Sequence, residues 1–201
     1  VIGDPGNVVD ILGDLAARSL IVRRSPGDGE TRFLMLETIR EFGLEQLAVS
    51  VEERVTRDRH AEWVRTVAER SEWAWFMPLA DGEARLAELE RERANIHEAL
   101  TWLASQGATE ALMEIAGALA GLWCVLGYGM EGRHWLAPAR DVDVTPSTRA
   151  KALATLSWVT NMQGEDVHAL NLAEASLRLP HDRNAPFDRI FALVLAGMAA
   201  R

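Results

Sequence analysis

The strongest constraint on the fold of this chain is an internal repeat in its second half. Small residues recur where two helices would cross closely, and a glycine recurs at the turn between them. The aligned positions, offset by about 37 residues, are Leu119-Ala120, Gly127 and Gly132 in one copy and Leu156-Ser157, Gly164 and Ala169 in the next. This offset is close to the ~34-residue period of helix-turn-helix repeats, whose stacked units share one core.

The first fifty residues follow a different pattern. Apolar residues recur at helical spacing up to about Ser19, and a second helical stripe begins at Ile39. Between them, short apolar runs at 20–24 and 31–36 flank a turn that is rich in Pro and Gly. Helix, β-hairpin and helix in this order make up the back half of a winged helix.

Together these patterns predict a mainly α chain in three parts. The parts are the C-terminal portion of a winged helix over 1–50, a helical linker over 51–94 and stacked antiparallel helix pairs over 95–201. The sequence begins without Met and ends inside an apolar run, so we expect a piece of a longer protein in which the repeats are truncated.

Acidic residues outnumber basic ones. The chain has 21 Lys and Arg against 30 Asp and Glu, a formal net charge of -9, and Lys151 is its one lysine. The helix before the predicted wing carries Asp10 and Asp14. Nucleic-acid backbones attract extended basic faces, so we expect no direct contact with nucleic acid.

Cysteine usage and hydropathy limit the other partners. Cys124 is the only cysteine, so the chain can form no intramolecular disulfide and no thiolate zinc site, and His60-Ala61-Glu62 lacks the thiolates that a zinc deaminase needs. We predict that Cys124 is a small buried apolar residue. The most apolar stretch, 115–128, is shorter than the ~20 residues that span a bilayer. These features predict a cytoplasmic protein without a metal or membrane contact.

No motif for catalysis is present. The sequence has neither a G-x-x-x-x-G-K-[ST] phosphate-binding loop nor a G-x-S-x-G nucleophile elbow. Glu88, Glu90 and Glu92 stand beside arginines and are predicted to form solvated ion pairs on an exposed helix face. We therefore expect that this chain is not an enzyme and binds no cofactor itself.

Four stretches, in one order, resemble a known family. Residues 31–47 read TRFLMLETIREFGLEQL, which is similar to R-[FY]-x-[ML]-L-E-T-[IV]-R-E-[FY]-[AG]-x-E-x-L. Arg-His-Ala at 59–61 opens the next helix, and 89–102 read LERERANIHEALTW, similar to LE-x-E-x-x-N-[LI]-x-x-AL-x-W. The residues that fit W-x-x-x-G-x-x-x-x-G-R-x-W are Trp123, Gly127, Gly132, Arg133 and Trp135. From about residue 13 to 175 the chain thereby resembles bacterial STAND-type ATPase transcriptional regulators, the LuxR-type and AfsR-like activators.

The resemblance implies an arrangement of modules. In that family a nucleotide-binding ATPase module is followed by a winged helix, a linker and a TPR-like superhelix, often with a DNA-binding domain at one end. ATP or ADP would then bind in a module upstream of this chain. Arg23, Arg24 and Arg32, on the predicted hairpin, are the candidates for contact with that module. The alternative is that they are solvated arginines on an exposed wing.

The predicted repeats carry a second group of candidate residues. The candidates for binding a protein or small-molecule effector are Trp123, Tyr128, Arg133, His134, Trp135 and Trp158. Aromatic and arginine side chains anchor many interfaces, but packing in the core is the alternative for each of them. The leading hypothesis is a regulatory and binding fragment of a STAND-type regulator. The alternative is a free-standing helical-repeat scaffold for protein interaction.

Overall fold

The computed structural model describes residues 5–24, 31–72, 79–180 and 187–199. These residues are mainly helical, with one two-stranded antiparallel sheet among them. The chain divides into two compact units, Val1–Arg59 and His60–Arg201, which we call the N-terminal and C-terminal units. Within the described residues, every helix is too short or too polar to cross a membrane.

The N-terminal unit has the predicted helix, hairpin and helix. Its elements are α1 (Pro5–Ala17), β1 (Ile21–Arg24), β2 (Arg32–Met35) and α2 (Glu37–Ala48). The strands pair antiparallel from Ile21 opposite Met35 to Arg24 opposite Arg32. The predicted turn at 25–29 lies outside the described residues. The small antiparallel sheet in a mainly helical chain is confirmed, and the winged-helix assignment stays a prediction.

A left-handed residue ends α1 close to the predicted position. Ser19 has φ 57°. Its N–H donates to the carbonyl of Ala16 at 3.0 Å, and the N–H of Leu20 donates to the carbonyl of Leu15 at 3.0 Å. These two bonds form a Schellman cap, which satisfies the last carbonyls of the helix and turns the chain into β1.

The N-terminal unit buries little apolar surface. Among its residues whose burial is described, only Ile21 is buried. Side chains that are normally buried are exposed in the hairpin and in α2, among them Phe33, Leu34 and Phe42. Large apolar patches that stay exposed often mark surfaces that another domain or protein covers.

The C-terminal unit is a succession of packed helices. The elements are α3 (Glu53–Ser71, which begins before the unit boundary), α4 (Leu79–Ser105), α5 (Thr109–Ala118), a π-helical segment (Gly121–Val125), α6 (Gly129–Leu136), a 3-10 turn (Ala137–Arg140), α7 (Pro146–Met162), α8 (Asp166–Leu177) and α9 (Phe187–Ala199). Thr145 caps α7, since its side chain accepts from the N–H of Thr148 and Pro146 occupies the first turn.

Two hydrogen bonds set the direction of α5 relative to α7. Thr148 in the first turn of α7 donates to Glu110 in the first turn of α5 at 2.7 Å. Further along, Thr155 donates to the carbonyl of Gly117 at 2.8 Å. The two helices therefore run parallel. Each bond joins residues 38 positions apart, so neighbouring helices are related by an offset close to the predicted repeat.

Helix α8 runs back along α7. Ser176 near the end of α8 donates to the carbonyl of Ala150 near the start of α7 at 2.8 Å. At the other end, Asn161 of α7 donates to Asp166 of α8 at 3.2 Å. Helices α7 and α8 are therefore antiparallel, and α9 packs against both.

The turns of the two aligned copies have the same backbone conformation. Gly127 has φ 86° and Gly164 has φ 82°, values that favour glycine because it has no Cβ. Gly164 N–H donates to Asn161 and Glu165 N–H donates to Thr160, at 2.9 and 3.2 Å, which closes α7 with a Schellman cap. A glycine at both turns is thus a requirement of the backbone, as the alignment predicted.

Two apolar clusters form the core of the C-terminal unit. The larger runs through α3 to α8, and its buried members include Val64, Val67, Leu89, Ile96, Leu100, Met113, Ile115, Leu122, Trp123, Leu136, Leu153, Leu156, Val159 and Leu172. The smaller joins the last three helices and the residue before the π-helical segment, through Ala120, Ala154, Ala169, Ala173, Ala192 and Leu195. The predicted linker therefore contributes apolar residues to the same core as the predicted repeats.

One expectation for α4 is wrong. Glu92 is only 5% exposed, although it was predicted on a solvated face with Glu88 and Glu90. The reason is helical spacing, because Glu92 follows Leu89 by three residues and precedes Ile96 by four, which puts it on the apolar stripe. Asn95 donates to its carboxylate at 2.7 Å. A buried carboxylate needs such a partner.

The close approach of α6 to Trp123 predicts how a methyl group added at Gly132 would change stability. A Cβ added at Gly132 would lie 2.5 Å from Cγ of Trp123, so the indole or the backbone of α6 must shift. We expect Gly132→Ala to lower the free energy of unfolding by about 1–3 kcal/mol, as overpacking does, in urea denaturation.

The matched control is Gly197→Ala in α9, where a Cβ would meet nothing within 4 Å. This variant should be neutral or more stable by about 0.5–1 kcal/mol, the helix propensity difference between Gly and Ala. Equal stabilities of Gly132→Ala and the wild type would contradict the close approach.

Candidate functional site

The structure separates the six repeat candidates into buried and accessible side chains. Trp123 is 1% exposed and its indole N–H donates to the carbonyl of Ala116 at 2.9 Å. It is a core residue, the alternative considered for it, and its ring is not available to a partner. Trp158 is half-buried against both apolar clusters. The remaining candidates, Tyr128, Arg133, His134 and Trp135, lie on or next to α6.

Tyr128 is held in place by α4. Its hydroxyl donates to Glu90 at 2.8 Å, and the guanidinium of Arg93 lies 4.6 Å from the centre of its ring. The first contact raises the pKa of Tyr128, because the carboxylate accepts a hydrogen bond from the protonated hydroxyl and so stabilises the protonated form. A cation over an aromatic face is attracted by the ring quadrupole. Tyr128 is thus an oriented side chain at the start of α6.

Glu131 forms the next point of contact between α4 and α6. Its carboxylate lies 2.9 Å from Nδ1 of His97 and 3.7 Å from the guanidinium of Arg93. Trp135, one turn further along α6, packs edge-on against His97 and against its neighbour His134, with ring centres 5.9 and 4.8 Å apart. Trp135 is 8% exposed and its indole N–H has no hydrogen-bond partner among the described residues.

Arg133 connects α6 to the turn before α8. It donates to Gln163 at 2.7 Å and makes two bonds to the carboxylate of Glu165, one of them at 3.1 Å. Nδ1 of His168 lies 3.1 Å from the same carboxylate. Arg133 first, and His168 second, lower the pKa of Glu165 to about 2.

These contacts form two polar groups, one between α4 and α6 and one between α6 and the residues around the start of α8, which we call together the ionic face. Its members come from α4, from α6 and from the start of α8, and are Glu90, Arg93, His97, Tyr128, Glu131, Arg133, Glu165 and His168. Their side chains are exposed or half-buried. Exposed ion pairs add little stability, about 0–1 kcal/mol each. The face therefore contributes shape and alternating charge at the surface rather than stability.

Sequence reasoning found only part of this face. It identified Tyr128 and Arg133 but missed the other six members, which are Glu90, Arg93, His97, Glu131, Glu165 and His168. The signal in the sequence was complementary polar residues about one repeat apart. Tyr128 and Glu90 are 38 positions apart, and Arg133 and Glu165 are 32 apart. The sequence alone does not show which charged residues of neighbouring repeats contact each other, so these pairs are found only from the tertiary structure.

The three hairpin arginines occupy the paired strands. Arg23 and Arg24 are exposed, and Arg23 donates to Thr31 at 3.2 Å. Arg24 and Arg32 stand directly opposite each other in the antiparallel ladder. Like charges in that position repel each other.

Metal and thiol chemistry have no site in the part of the chain that the structure describes. No group of three or more His, Cys, Asp or Glu there could hold a metal ion. His60 stacks on Trp63 with ring centres 5.9 Å apart. Cys124 is buried, as predicted, and burial raises the pKa of its thiol to about 12.

The sequence is similar to proteins of mycobacteria. The relatives are candidate HTH-type transcriptional regulators of Mycobacterium bovis and of two strains of Mycobacterium tuberculosis. Each is 26% identical to the chain over 208 residues, which cover 98% of the chain and 23% of the relative. The chain thus spans about a quarter of the length of the curated relatives that it matches. No protein-family model matches the sequence, and no solved structure matches it significantly.

The Glu165 carboxylate provides a test of the ionic face. Because Arg133 and His168 hold its pKa near 2, Glu165 should stay ionised to about pH 3 in a carboxyl NMR titration. Arg133→Met removes the largest cause, so the midpoint should rise toward the ordinary value of about 4.3. Any stability from this carboxylate is present above that value and is lost as the pH falls toward 2.

Arg178→Met is the control for this titration. Arg178 is an exposed cation of the same region that bonds Glu174 at 2.8 Å and not Glu165. It should leave the Glu165 midpoint unchanged. A wild-type midpoint near 4.3 would contradict the contacts described for Arg133.

Proposed function

We propose that this chain is a regulatory and binding part of a bacterial STAND-type transcriptional regulator of the LuxR or AfsR-like kind. The name of the mycobacterial relatives supports a role in transcription, and the match to nearly the whole chain supports a shared architecture. The motif over 31–47 supports the STAND parentage. In this proposal 1–50 end a winged helix, 51–94 form the helical linker and 95–201 form TPR-like repeats.

The observation that carries the proposal is the spacing of the contacts between successive helices. Helix α5 and helix α7 run parallel and contact each other through residues 38 positions apart, with α8 returning antiparallel to α7. When helix-turn-helix units stack in this way, each unit packs against its neighbours, and extended surfaces stay free for partners. This supports an interaction module over a catalytic one.

The ionic face supports a binding role for these repeats. It combines an oriented tyrosine, two arginines and two histidines with three carboxylates, so it can satisfy a partner of mixed charge. Such surfaces give specificity and rate of association more than affinity. A protein or small-molecule effector that binds the repeats more tightly in one state of the parent protein would shift its population toward that state.

ATP or ADP belongs in this proposal to a module outside the chain. The chain itself is proposed to be non-catalytic, since it lacks a phosphate-binding loop. The exposed apolar residues of the N-terminal unit and the arginines of its hairpin support a role for that unit in contacting the nucleotide module. The proposed compartment is the cytoplasm, where regulators of transcription meet their signals in bacteria.

The second candidate function is a free-standing helical scaffold for protein interaction. It would use the same ionic face without an ATPase or a DNA-binding domain. The reading frame that encodes the chain decides between the two, because a phosphate-binding loop upstream of Val1 supports the regulator and a start codon near Val1 supports the scaffold.

A transcript experiment tests the regulator directly. In the source bacterium, deletion of the reading frame and the double variant Arg93→Ala with Tyr128→Ala should change an overlapping set of transcripts, measured by RNA sequencing. The control is Arg54→Ala, which alters an exposed cation (83% exposed) outside the ionic face and should leave transcripts at wild-type levels.

The outcomes of this experiment separate the two parts of the proposal. A deletion that changes no transcript contradicts the regulatory role. A deletion that changes transcripts while the double variant does not, with normal thermal stability of the variant protein, contradicts the role of the ionic face.

Nucleotide chemistry gives a further test. The purified chain of 201 residues should neither bind ATP in calorimetry nor release phosphate from it, because its sequence has no G-x-x-x-x-G-K-[ST] motif to hold the phosphates. Hydrolysis that copurifies with the chain and is abolished by a substitution within it would contradict the proposal that the chain is non-catalytic.

A further inference from the structure

A cavity of about 490 Å³ lies within the C-terminal unit, between the 3-10 turn after α6 and the helices α7 and α8. Its volume falls in the range of ~300–1,000 Å³ that small-molecule sites occupy. The wall has a polar part, formed by Arg140, Arg149, His168 and Asn171, and an apolar part formed by leucines and one alanine of α7, α8 and the residues after α8. The cavity is therefore amphipathic.

The charge of the cavity is opposite to that of the chain. Two arginines line it and no carboxylate does, although the chain has a formal net charge of -9. The carboxylate that His168 contacts, Glu165, also accepts from Arg133. Two guanidinium groups gathered at one cavity without an acid among its lining residues favour an anionic ligand.

The guanidinium of Arg149 is only partly hydrogen-bonded among the described residues. One of its terminal nitrogens donates to the carbonyl of Val142. Its Nε is buried and has no hydrogen-bond partner among the described residues. Buried donors are rarely left in this state, so the guanidinium of Arg149 is incompletely paired within the part of the protein that the structure describes.

The side chain of Arg140, which also lines the cavity, contacts a weak hydrogen-bond acceptor. Its Nη2 contacts Nε2 of His168. Arginine can only donate, so Nε2 is the acceptor in this contact, and Nδ1 of the same ring lies 3.1 Å from the carboxylate of Glu165. A ligand carboxylate is a charge-assisted and therefore stronger acceptor for Arg140 than a neutral imidazole. The guanidinium is already at the place where such a ligand would bind.

The apolar wall excludes a bare inorganic ion as the best ligand. Leu153 of α7 and Leu172 and Ala175 of α8 also line the cavity, and a small hydrated ion would leave them in contact with water. A hydrocarbon body would bury them, at about 25 cal/mol for each Å² removed from water. One terminal nitrogen of Arg149 is already used by Val142, so the free donors suit a monoanion better than a dianionic phosphate.

We propose that this cavity binds a small organic carboxylate with an apolar body, its carboxylate on Arg140 and Arg149 and its hydrocarbon against α7 and α8. The proposal assigns a chemical class to the small-molecule effector of the proposed function and rests on that function only for its regulatory meaning. Binding would bring the 3-10 turn after α6, α7 and α8 together around one ligand, and so would stiffen the contact between successive helix pairs.

The test uses octanoate as the probe and the purified chain as the protein. In titration calorimetry octanoate should bind with one-to-one stoichiometry, at least about tenfold more tightly than acetate, octan-1-ol or octylammonium. Acetate lacks the apolar body, octan-1-ol lacks the charge and octylammonium has the opposite charge. Octyl phosphate should bind more weakly than octanoate.

Substitutions in the cavity locate the binding site. Arg140→Met and Arg149→Met should each weaken octanoate binding by about tenfold or more, as expected for loss of a charge-assisted hydrogen bond. Ala175→Phe should abolish it by filling the apolar part. Arg178→Met, which changes an exposed cation near the end of α8 that does not line the cavity, should bind as the wild type does. Thermal midpoints show that each variant is folded.

Several results would overturn the proposal. These are no octanoate binding, equal binding of octan-1-ol, equal binding of acetate, tighter binding of octyl phosphate, or wild-type affinity in both Arg140→Met and Arg149→Met. If Arg149→Met does not fold, Arg140→Met decides alone, because Arg140 is exposed. None of these results bears on the transcript experiment, whose variants lie outside the cavity, so failure of the ligand class and failure of the regulatory role are distinguishable.

Discussion

The burial of helix α7 is the interaction on which the C-terminal unit depends. Ten of its seventeen residues are buried, and α5, α6, α8 and α9 all pack against it. A helix enclosed in this way requires small side chains, and α7 has buried alanines as well as Thr155, which donates to a backbone carbonyl of α5. Without α7, the helices that follow the turns at Gly127 and Gly164 would have no common helix to pack against.

Lys151, the one lysine of the chain, shows how closely α7 is packed. Its Nζ lies 2.6 Å from the carboxylate of Glu72, and its aliphatic carbons approach Gly117 so closely that a Cβ there would lie 3.0 Å away. A charge at the edge of a packed helix is acceptable when its stem covers apolar surface and its head is paired. The lysine that marked the composition as unusual is therefore a structural residue of the C-terminal unit.

The surfaces around α7 carry the functional proposals, and they differ in physical character. The ionic face is open and made of complementary pairs, so water screens each pair and a partner would exchange contacts rather than gain new ones. The cavity beside α8 is partly apolar and holds two arginines with no carboxylate in its lining. Its cations are incompletely paired, so a ligand would add interactions there. The first surface suits a macromolecule that associates and leaves, and the second suits a small molecule.

Local sequence determined the helix, hairpin and helix of the N-terminal unit, the left-handed turns at Gly127 and Gly164, and the buried position of Cys124, because each depends on backbone preference or on periodicity of near neighbours. Only the tertiary structure decided that Glu92 is buried, that Trp123 is a core residue rather than a partner contact, and that Arg140 and Arg149 line one cavity together with residues of α8. The reason is that burial and charge pairing across helices depend on which faces meet about one repeat apart, and no local pattern specifies that.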